Sequence, residues 1–194
     1  MTASAFQACT AIILAGGSAS RMGTDKRFLK VGNENLLERQ IRLLEKHFPE
    51  IIISANDPVK LGYLNLRVVP DEQAGLGPLG GLSTALAASN SEHNFVVAVD
   101  IPNIDMKLVE KMLTHLDTVS AVIPVSIDGH QEPLFAFYSK SCIPIFKSAL
   151  KEGERAIHRA LEKCPVYHFP MKNRLAIKNI NNPGDFETFL RENE

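Results

Sequence analysis

Features that mark several other protein classes are scarce or absent in this sequence. Its three cysteines form no Cys-x-x-Cys pair and have no ligand spacing with the six histidines, which argues against a disulfide framework or a zinc site. A formal net charge of −1 and a pI of about 6.6 argue against a nucleic-acid-binding protein, which usually has a basic face. The apolar run at 11–15 is too short for a membrane span or a signal peptide, and no basic n-region precedes it. We therefore expect a cytoplasmic protein that binds neither nucleic acid nor a membrane.

Enough apolar sequence is present for one buried core. The chain has 194 residues, 45% of them hydrophobic, which suits one domain. No linker, internal repeat or low-complexity tract divides the sequence. We expect residues 1–194 to form a single domain.

Short apolar runs alternate with helical patterns along the chain. Six runs rich in β-branched residues predict strands, at Ala11–Leu14, Ile51–Ser54, Leu66–Val69, Phe95–Val99, Val119–Val125 and Leu134–Tyr138. Helical periodicity predicts helices at Asn35–His47, Leu82–Ala88, Met106–Leu116, Cys142–Leu150 and Arg155–Lys163, and after a cap at Asn182. The alternation predicts a three-layer α/β fold whose central sheet is mostly parallel and has helices on both faces. Asp128-Gly129 is a hairpin signal, so we expect a local antiparallel excursion at about 126–138.

A glycine pair follows the first predicted strand. Gly16 and Gly17 lack a β-carbon, so their N–H groups can approach an anion closely, and Arg21 and Lys26 can reach a polyphosphate from different sides. The spacing matches neither a P-loop nor a dinucleotide-binding fingerprint. The alternative is an ordinary tight turn with solvated basic residues.

Polar residues or glycine follow each of the first four strands. Gly16, Asn56, Asp71 and Asp100 occupy these positions in chain order, and ligands of parallel sheets bind outside the carboxyl ends of the strands. Asp100 follows the most apolar strand, where a charge is costly without water, a partner or a metal. Mg²⁺ needs few protein carboxylates when a nucleotide supplies phosphate oxygens, so Asp100 is our candidate metal ligand. Its alternative role is a cap or turn residue.

These residues resemble a known family. Leu14-Ala15-Gly16-Gly17, Arg21-Met22-Gly23 and Asp25-Lys26 resemble the signature of the molybdenum cofactor guanylyltransferases (MobA-like), within the wider group of nucleotidyltransferases. Further matches follow in the family's order up to residue 181, at Asn56, Asp71, Gly77-Pro78-Leu79-Gly80-Gly81, Asp100 and Asn179-Ile180-Asn181. The chain departs from the family at Ala98-Val99-Asp100-Ile101-Pro102, which lacks the usual cysteine or proline before the aspartate and the threonine after it. The missing hydroxyl removes a possible hydrogen bond near the metal and leaves the carboxylate in place.

The resemblance implies a Rossmann-like nucleotidyltransferase fold and Mg²⁺-dependent transfer of GMP from GTP to molybdopterin. It implies that Asp100 binds Mg²⁺ and that the nucleotide is bound by Leu14, Ala15, Gly16, Gly17, Lys26, Asn56, Asp71 and Asp100. Lys26 and Arg21 are the candidates for stabilising charge on the phosphates, and Asn179 or Asn181 could complete the metal site or serve as turn residues. The pterin-binding candidates, which a plain helix-entry loop would also explain, are Gly77, Pro78, Leu79, Gly80 and Gly81.

Other functions are compatible with the same residues. Relatives that act on sugars or make cytidylyl products more often carry Ala-Ala-Gly where this chain has Ala15-Gly16-Gly17, which favours GTP over cytidylyl transfer to molybdopterin or transfer to a phosphosugar. A nucleotide-binding regulatory module without turnover is a further alternative. Partners implied by the resemblance are proteins of molybdenum cofactor biosynthesis or molybdoenzyme maturation. The segment His130–Pro133 has no assigned role.

Overall fold

The computed structural model describes residues 5–16, 25–73, 75–171 and 177–193. The strands are β1 (Cys9–Leu14), β2 (Lys30–Val31), β3 (Glu34–Asn35), β4 (Glu50–Ser54), β5 (Arg67–Val69), β6 (His93–Ala98), β7 (Ala121–Val125), β8 (Phe135–Ser139) and β9 (Val166–Pro170). The α-helices are α1 (Leu36–Leu44), α2 (Pro58–Leu61), α3 (Gly77–Ala88), α4 (Met106–Leu113), α5 (Cys142–Lys151), α6 (Ile157–Leu161) and α7 (Pro183–Asn193).

Within the described residues, seven strands form one sheet in the order β5-β4-β1-β6-β8-β7-β9. β1 pairs in parallel with β4 and β6, and β4 with β5. β8 runs antiparallel to both β6 and β7, whereas β9 is parallel to β7. The mostly parallel α/β sheet with one antiparallel excursion is therefore confirmed. β2 and β3 form a separate small antiparallel pair.

Alternate residues of the central strand β1 face opposite layers, because side chains of a strand alternate between the two faces of its sheet. Ala11 and Ile13 belong to the core that includes side chains from α1 and α4. Ile12 and Leu14 belong to the core that includes side chains from α3 and α5. Burial on both faces explains why residues 11–14 of this strand form a continuous apolar run rather than an alternating one.

Local capping signals set two helix starts as the sequence predicts. Asn35 and Glu38 form a reciprocal capping box at the start of α1. At α7, the Asp185 amide donates to Asn182 Oδ1 at 3.0 Å and the Asn182 amide donates to Asp185 Oδ2 at 3.1 Å. These contacts span three residues, so they can be identified before the tertiary fold is known.

Helix α3 starts earlier than predicted, and the short elements α2, β2 and β3 as well as strand β9 were not predicted. Helix α3 begins at Gly77 rather than at Leu82; Pro78 suits a first helical turn, and Gly81 packs closely against Ser54 and Asp71 at the strand ends. Strand β9 is missing from the predicted elements. It pairs only with β7 among the described strands, and its mixed half-buried and exposed pattern carries little apolar signal.

No helix in the described part of the chain is long and apolar enough to cross a membrane.

Candidate active site

The carboxyl ends of the first four main strands surround a cavity of about 300 Å³. It lies where the chain order reverses, with β1 between β4 on one side and β6 on the other, which is the usual ligand position in open α/β sheets. The lining includes residues from all four of these strand ends together with residues from 25–27, from the start of α3 and from before β8: Leu14, Ala15, Gly16, Asp25, Lys26, Arg27, Ser54, Asp71, Gly77, Pro78, Gly81, Ala98, Val99, Asp100 and Leu134. A second cleft of about 550 Å³ shares Ala15, Gly16, Arg27, Asp71 and Gly77 with it and reaches Asn56.

Lys26 and Asp100 meet across this cavity. Lys26 Nζ donates to Asp100 Oδ2 at 3.0 Å, and the two side chains are 23% and 25% exposed. The cation and the carboxylate are 74 residues apart in sequence, so only the fold brings them together. Both charges remain accessible to a ligand in the cavity. Two other predicted residues, Gly17 and Arg21, lie outside the described residues.

Asp100 lies in a tight turn that follows β6. The Ile101 amide donates to the Ala98 carbonyl at 3.1 Å, and the Ile180 amide donates to the Asp100 carbonyl at 2.8 Å. The main chain around the carboxylate is thus bonded on both sides. Among the described residues, no group of three or more His, Cys, Asp or Glu side chains could hold a metal by itself.

Asn56 and Asp71 form a reciprocal pair that joins the ends of β4 and β5. Asn56 Nδ2 donates to Asp71 Oδ2 at 3.0 Å, and the Asp71 amide donates to Asn56 Oδ1 at 2.7 Å. Asp71 is half-buried and Asn56 is exposed. The pair leaves polar edges toward the cavity and the cleft.

The glycine run enters the site as the first turns of α3. Gly77, Pro78 and Gly81 line the cavity. A β-carbon on Gly81 would lie 3.0 Å from both Asp71 Oδ1 and Ser54 Oγ, so this position holds the helix close to the strand ends. Leu79 is instead fully buried in the core.

Gly80 is also buried away from the cavity. A β-carbon there would lie 2.4 Å from Leu76 Cβ, so the position requires glycine for packing against the residue that precedes the helix. Of the five predicted pterin-binding residues, the structure brings three to the cavity and places the side chain of Leu79 and the Cα of Gly80 in the protein interior.

Asp25, Arg27 and Asp57 form an ion cluster that the sequence did not predict and that holds the Lys26 segment in place. Arg27 donates from Nε to Asp25 Oδ1 at 2.8 Å and from Nη2 to Asp57 Oδ2 at 2.7 Å, and its Nη1 also donates to Asp57. The Arg27 side chain is 11% exposed. Hydrogen bonds from the guanidinium lower the pKa values of Asp25 and Asp57 below the ordinary value. Asp57 comes from the end of β4, so the cluster ties that strand end to Lys26's neighbours.

The connection between β7 and β8 contributes a further carboxylate near Asp100. His130 Nε2 lies 3.3 Å from Glu132 Oε1, and the Glu132 side chain is 14% exposed. Burial raises the pKa of Glu132; His130 lowers it by less, and the Asp100 carboxylate adds to the rise. Glu132 is therefore within electrostatic range of Asp100, although the sequence signalled it only as part of an unassigned polar segment.

Asn179 and Asn181 lie in different surroundings. The Asn181 amide donates to Asp185 Oδ2 at 2.8 Å, in the turn before α7. Asn179 lines a separate groove of about 280 Å³ with Pro102 and Asn103. The main chain of Asn181 therefore takes part in this turn, which is one of the two roles predicted for the residue.

The chain is similar to proteins of molybdenum cofactor synthesis. Residues 11–164 match the MobA-like NTP transferase domain. It is 36% identical over 191 residues to a Natranaerobius thermophilus protein named "Probable molybdenum cofactor guanylyltransferase", covering 92% of this chain and 93% of that protein. It is 32% identical over 192 residues to the "Molybdenum cofactor guanylyltransferase" of Syntrophotalea carbinolica, covering 94% and 91%.

A solved structure shares the fold. The crystal structure of molybdopterin-guanine dinucleotide biosynthesis protein A from Archaeoglobus fulgidus superposes with a TM-score of 0.79 at 24% identity, covering 94% of this chain and 97% of that one. The domain match extends over most of the sequence and contains the strand ends that form the cavity. The chain therefore belongs to the MobA-like NTP transferase family.

Proposed function

We propose that this protein transfers GMP from GTP to the terminal phosphate of molybdopterin, giving molybdopterin guanine dinucleotide and pyrophosphate. The observation that carries the proposal is the contact of Lys26 with Asp100 at the point where the chain order of the sheet reverses. The names of the relatives supply the substrate class. The same proposal includes a cytoplasmic location and partner proteins that deliver the pterin or take up the product.

The reaction requires no enzyme nucleophile. An oxygen of the acceptor phosphate attacks the α-phosphorus and forms the new P–O bond. The bond from that phosphorus to the oxygen bridging to the β-phosphate breaks, and pyrophosphate leaves with the electron pair. Phosphoryl chemistry of this kind depends on positioning and on charge stabilisation. Lys26 supplies positive charge beside the cavity, where the phosphates gain negative charge on their outer oxygens.

Asp100 is the residue that would hold Mg²⁺. Its carboxylate oxygens are hard donors, it is partly exposed, and it lines the cavity. Mg²⁺ commonly takes one or two protein carboxylates and completes its shell with substrate phosphates and water, so a single aspartate fits this ion. When bound, the ion would neutralise phosphate charge as a Lewis acid.

Guanine recognition is assigned to the main chain after β1. The Leu14 carbonyl accepts from the Val99 amide at 3.0 Å, and the Ala15 amide donates to the Ser54 carbonyl at 2.9 Å. Those two groups are therefore engaged, and we assign base contacts to the Ala15 carbonyl and the Gly16 amide. Asn56 and Asp71 are proposed to complete the nucleotide pocket, and Gly77, Pro78 and Gly81 to receive the pterin. The phosphate-binding roles of Gly17 and Arg21 rest on the family resemblance.

Product analysis tests this function directly. We expect purified protein with GTP, Mg²⁺ and molybdopterin to release pyrophosphate and to form a product with the mass of molybdopterin guanine dinucleotide. CTP, and phosphosugars in place of molybdopterin, are parallel arms. Turnover with CTP in preference to GTP, or with a phosphosugar alone, would assign the alternative transferase activity. Tight GTP binding without product would assign a regulatory module.

Variants connect the activity to the site. We expect Asp100→Asn and Lys26→Met each to lower kcat/KM by roughly 100-fold or more, because Lys26 would stabilise the negative charge of the transition state directly and Asp100 would do so through the Mg²⁺ that it holds. Asp117→Asn, at an exposed carboxylate of the 3-10 helix Leu116–Thr118, is the matched control and should keep full activity. Full activity in Asp100→Asn with an unchanged Mg²⁺ requirement would refute the assignment.

A further inference from the structure

Gln40 is a buried amide that reaches from α1 to the turn carrying Asp100. Its side chain is 0% exposed. Nε2 donates to the Ala98 carbonyl at 2.9 Å and to the Ile101 carbonyl at 2.7 Å. These carbonyls belong to residues 58 and 61 positions further along the chain. Gln40 is therefore a tertiary contact between the helix layer and the site, and the sequence prediction did not include it.

The two accepting carbonyls are the first and last of the Asp100 turn. The turn runs over 98–101 and is closed by the Ile101 amide, which donates to the Ala98 carbonyl at 3.1 Å. An amide NH₂ group has two hydrogens and can donate to both carbonyls at once. A carboxylate has no donor, and a hydroxyl has only one. Glutamine at this position thus bonds both ends of the turn with one rigid group.

One buried atom of Gln40 is energetically unfavourable, and the two donated hydrogen bonds offset this. Gln40 Oε1 is buried and has no hydrogen-bond partner among the described residues, and an unpaired buried acceptor is unfavourable. Exchanging the amide oxygen and nitrogen would point oxygen at two carbonyl oxygens. The Gln40 amide therefore adopts the orientation that forms hydrogen bonds, and both bonds stabilise the turn.

We propose that Gln40 is a positioning residue for Asp100. It holds the turn in the conformation that presents the carboxylate to Lys26 and to a metal-bound triphosphate. This inference rests on the proposed function, in which Asp100 binds the metal. Groups that orient a metal ligand without touching the metal typically change metal affinity or activity by about 10–100-fold when removed.

The chain offers a matched control at the opposite end of β6. Asn94 is also 0% exposed. Its Nδ2 donates to the carbonyls of Ser91 and Glu92 at 3.3 Å and of Tyr138 at 3.4 Å, and its Oδ1 likewise lacks a partner within the described residues. At about 3.3 Å per residue, Asn94 lies roughly 13 Å along β6 from Ala98, where the Asp100 turn begins. Removing this amide disturbs the same sheet without touching the turn.

The experiment compares Gln40→Met, which keeps the side-chain length and loses both donors, with Asn94→Leu. Mn²⁺ binding is measured by electron paramagnetic resonance in the presence of GTP without molybdopterin. Hydrogen exchange of the Ile101 amide is followed in the same proteins. We expect Gln40→Met to raise the Mn²⁺ Kd roughly tenfold and to speed exchange at Ile101. Asn94→Leu should leave both values unchanged, although it also loses buried hydrogen bonds.

A second variant, Gln40→Asn, tests the same role if Gln40→Met does not fold. Gln40→Asn keeps an amide but is one methylene shorter, so its donors fall short of the turn, and the same rise in Mn²⁺ Kd is expected. Unchanged Mn²⁺ affinity and Ile101 exchange in whichever Gln40 variant folds would overturn the positioning role. If Asp100→Asn loses Mn²⁺ affinity in that case, the proposed function stands and this inference alone fails. Unchanged affinity in Asp100→Asn itself would overturn the metal assignment and the inference with it.

Discussion

Replacing Asp57 by asparagine tests the ion cluster that fastens the Lys26 segment to the end of β4. Asp57 accepts two hydrogen bonds from Arg27, one of them at 2.7 Å. Asparagine has nearly the same shape and can still accept one bond, but it carries no charge. The substitution therefore removes the charge pairing across the cluster with little change in packing.

The expected loss is about 1 to 2 kcal/mol in the free energy of unfolding at pH 7. A hydrogen bond to a charged group contributes about 1.5–3 kcal/mol, whereas fully exposed ion pairs contribute about 0.2–1 kcal/mol. The pair lies between these limits, since Arg27 is 11% and Asp57 32% exposed. Asp25 continues to neutralise the guanidinium, so the loss stays below that for a buried charge left without a partner.

The pH dependence has a definite sign. The guanidinium holds the pKa of Asp57 in the folded protein below its ordinary value. Asp57 therefore contributes stability above the unfolded pKa of about 3.9, and this contribution is lost as the pH falls through the folded value. The stability difference between the unmodified protein and Asp57→Asn should be full at pH 6–7 and should shrink below about pH 4.

Urea unfolding followed by circular dichroism measures the difference, because urea, unlike guanidinium chloride, does not screen ion pairs. Asp117→Asn serves as the exposed control and should change the stability by less than about 0.5 kcal/mol. A loss in Asp57→Asn that is as large at pH 3 as at pH 7 would refute the electrostatic explanation. A loss equal to that of the control at pH 7 would show that the cluster does not stabilise the fold.

Two further outcomes test local geometry and thiol chemistry. Gly77→Ala should lower the free energy of unfolding by about 1–2 kcal/mol, because Gly77 has φ +65°. The control Gly62→Ala should leave it unchanged, because Gly62 has φ −60° and open space around it. Equal changes in Tm for the two variants would contradict this. The second outcome concerns the three cysteines. The neighbouring Cys142 thiol lowers the pKa of the half-buried Cys164 thiol. Burial raises the pKa of Cys9 to about 11, and the contact with Cys164 together with burial raises the pKa of Cys142. Iodoacetamide at pH 8 should therefore modify Cys164 first in the folded protein, and mass spectrometry showing Cys9 modified first would contradict it.

Much of the fold follows from local sequence signals. The apolar runs predicted the strands that form the centre of the sheet, and the capping pairs at 35–38 and 182–185 marked two helix starts. Gly16, Asn56, Asp71 and Asp100 were expected at one sheet edge, and the structure places them there. This worked because parallel strands direct their carboxyl ends to the same edge, whatever the intervening helices contain.

The glycine run and the last strand show where local signals fail. Gly77–Gly81 has the composition of a loop, yet it forms the start of α3, where a β-carbon on Gly81 would lie 3.0 Å from both Asp71 Oδ1 and Ser54 Oγ. Strand β9 has a weak apolar pattern and owes its conformation to pairing with β7. In both cases, packing against distant residues outweighs the local preference of the segment.

The sequence by itself determined the alternation of strands and helices and the strand-end position of the polar residues, since both depend on residues close along the chain, and it carried the family resemblance in short motifs between residues 14 and 181. Only the tertiary structure decided that Lys26 meets Asp100, that Asp57 clamps Arg27 and that Gln40 bonds both ends of the Asp100 turn. These partners are 74, 30, and 58 and 61 residues apart. Contacts at such separations depend on how complete elements pack against one another, and no local pattern in the chain records that packing.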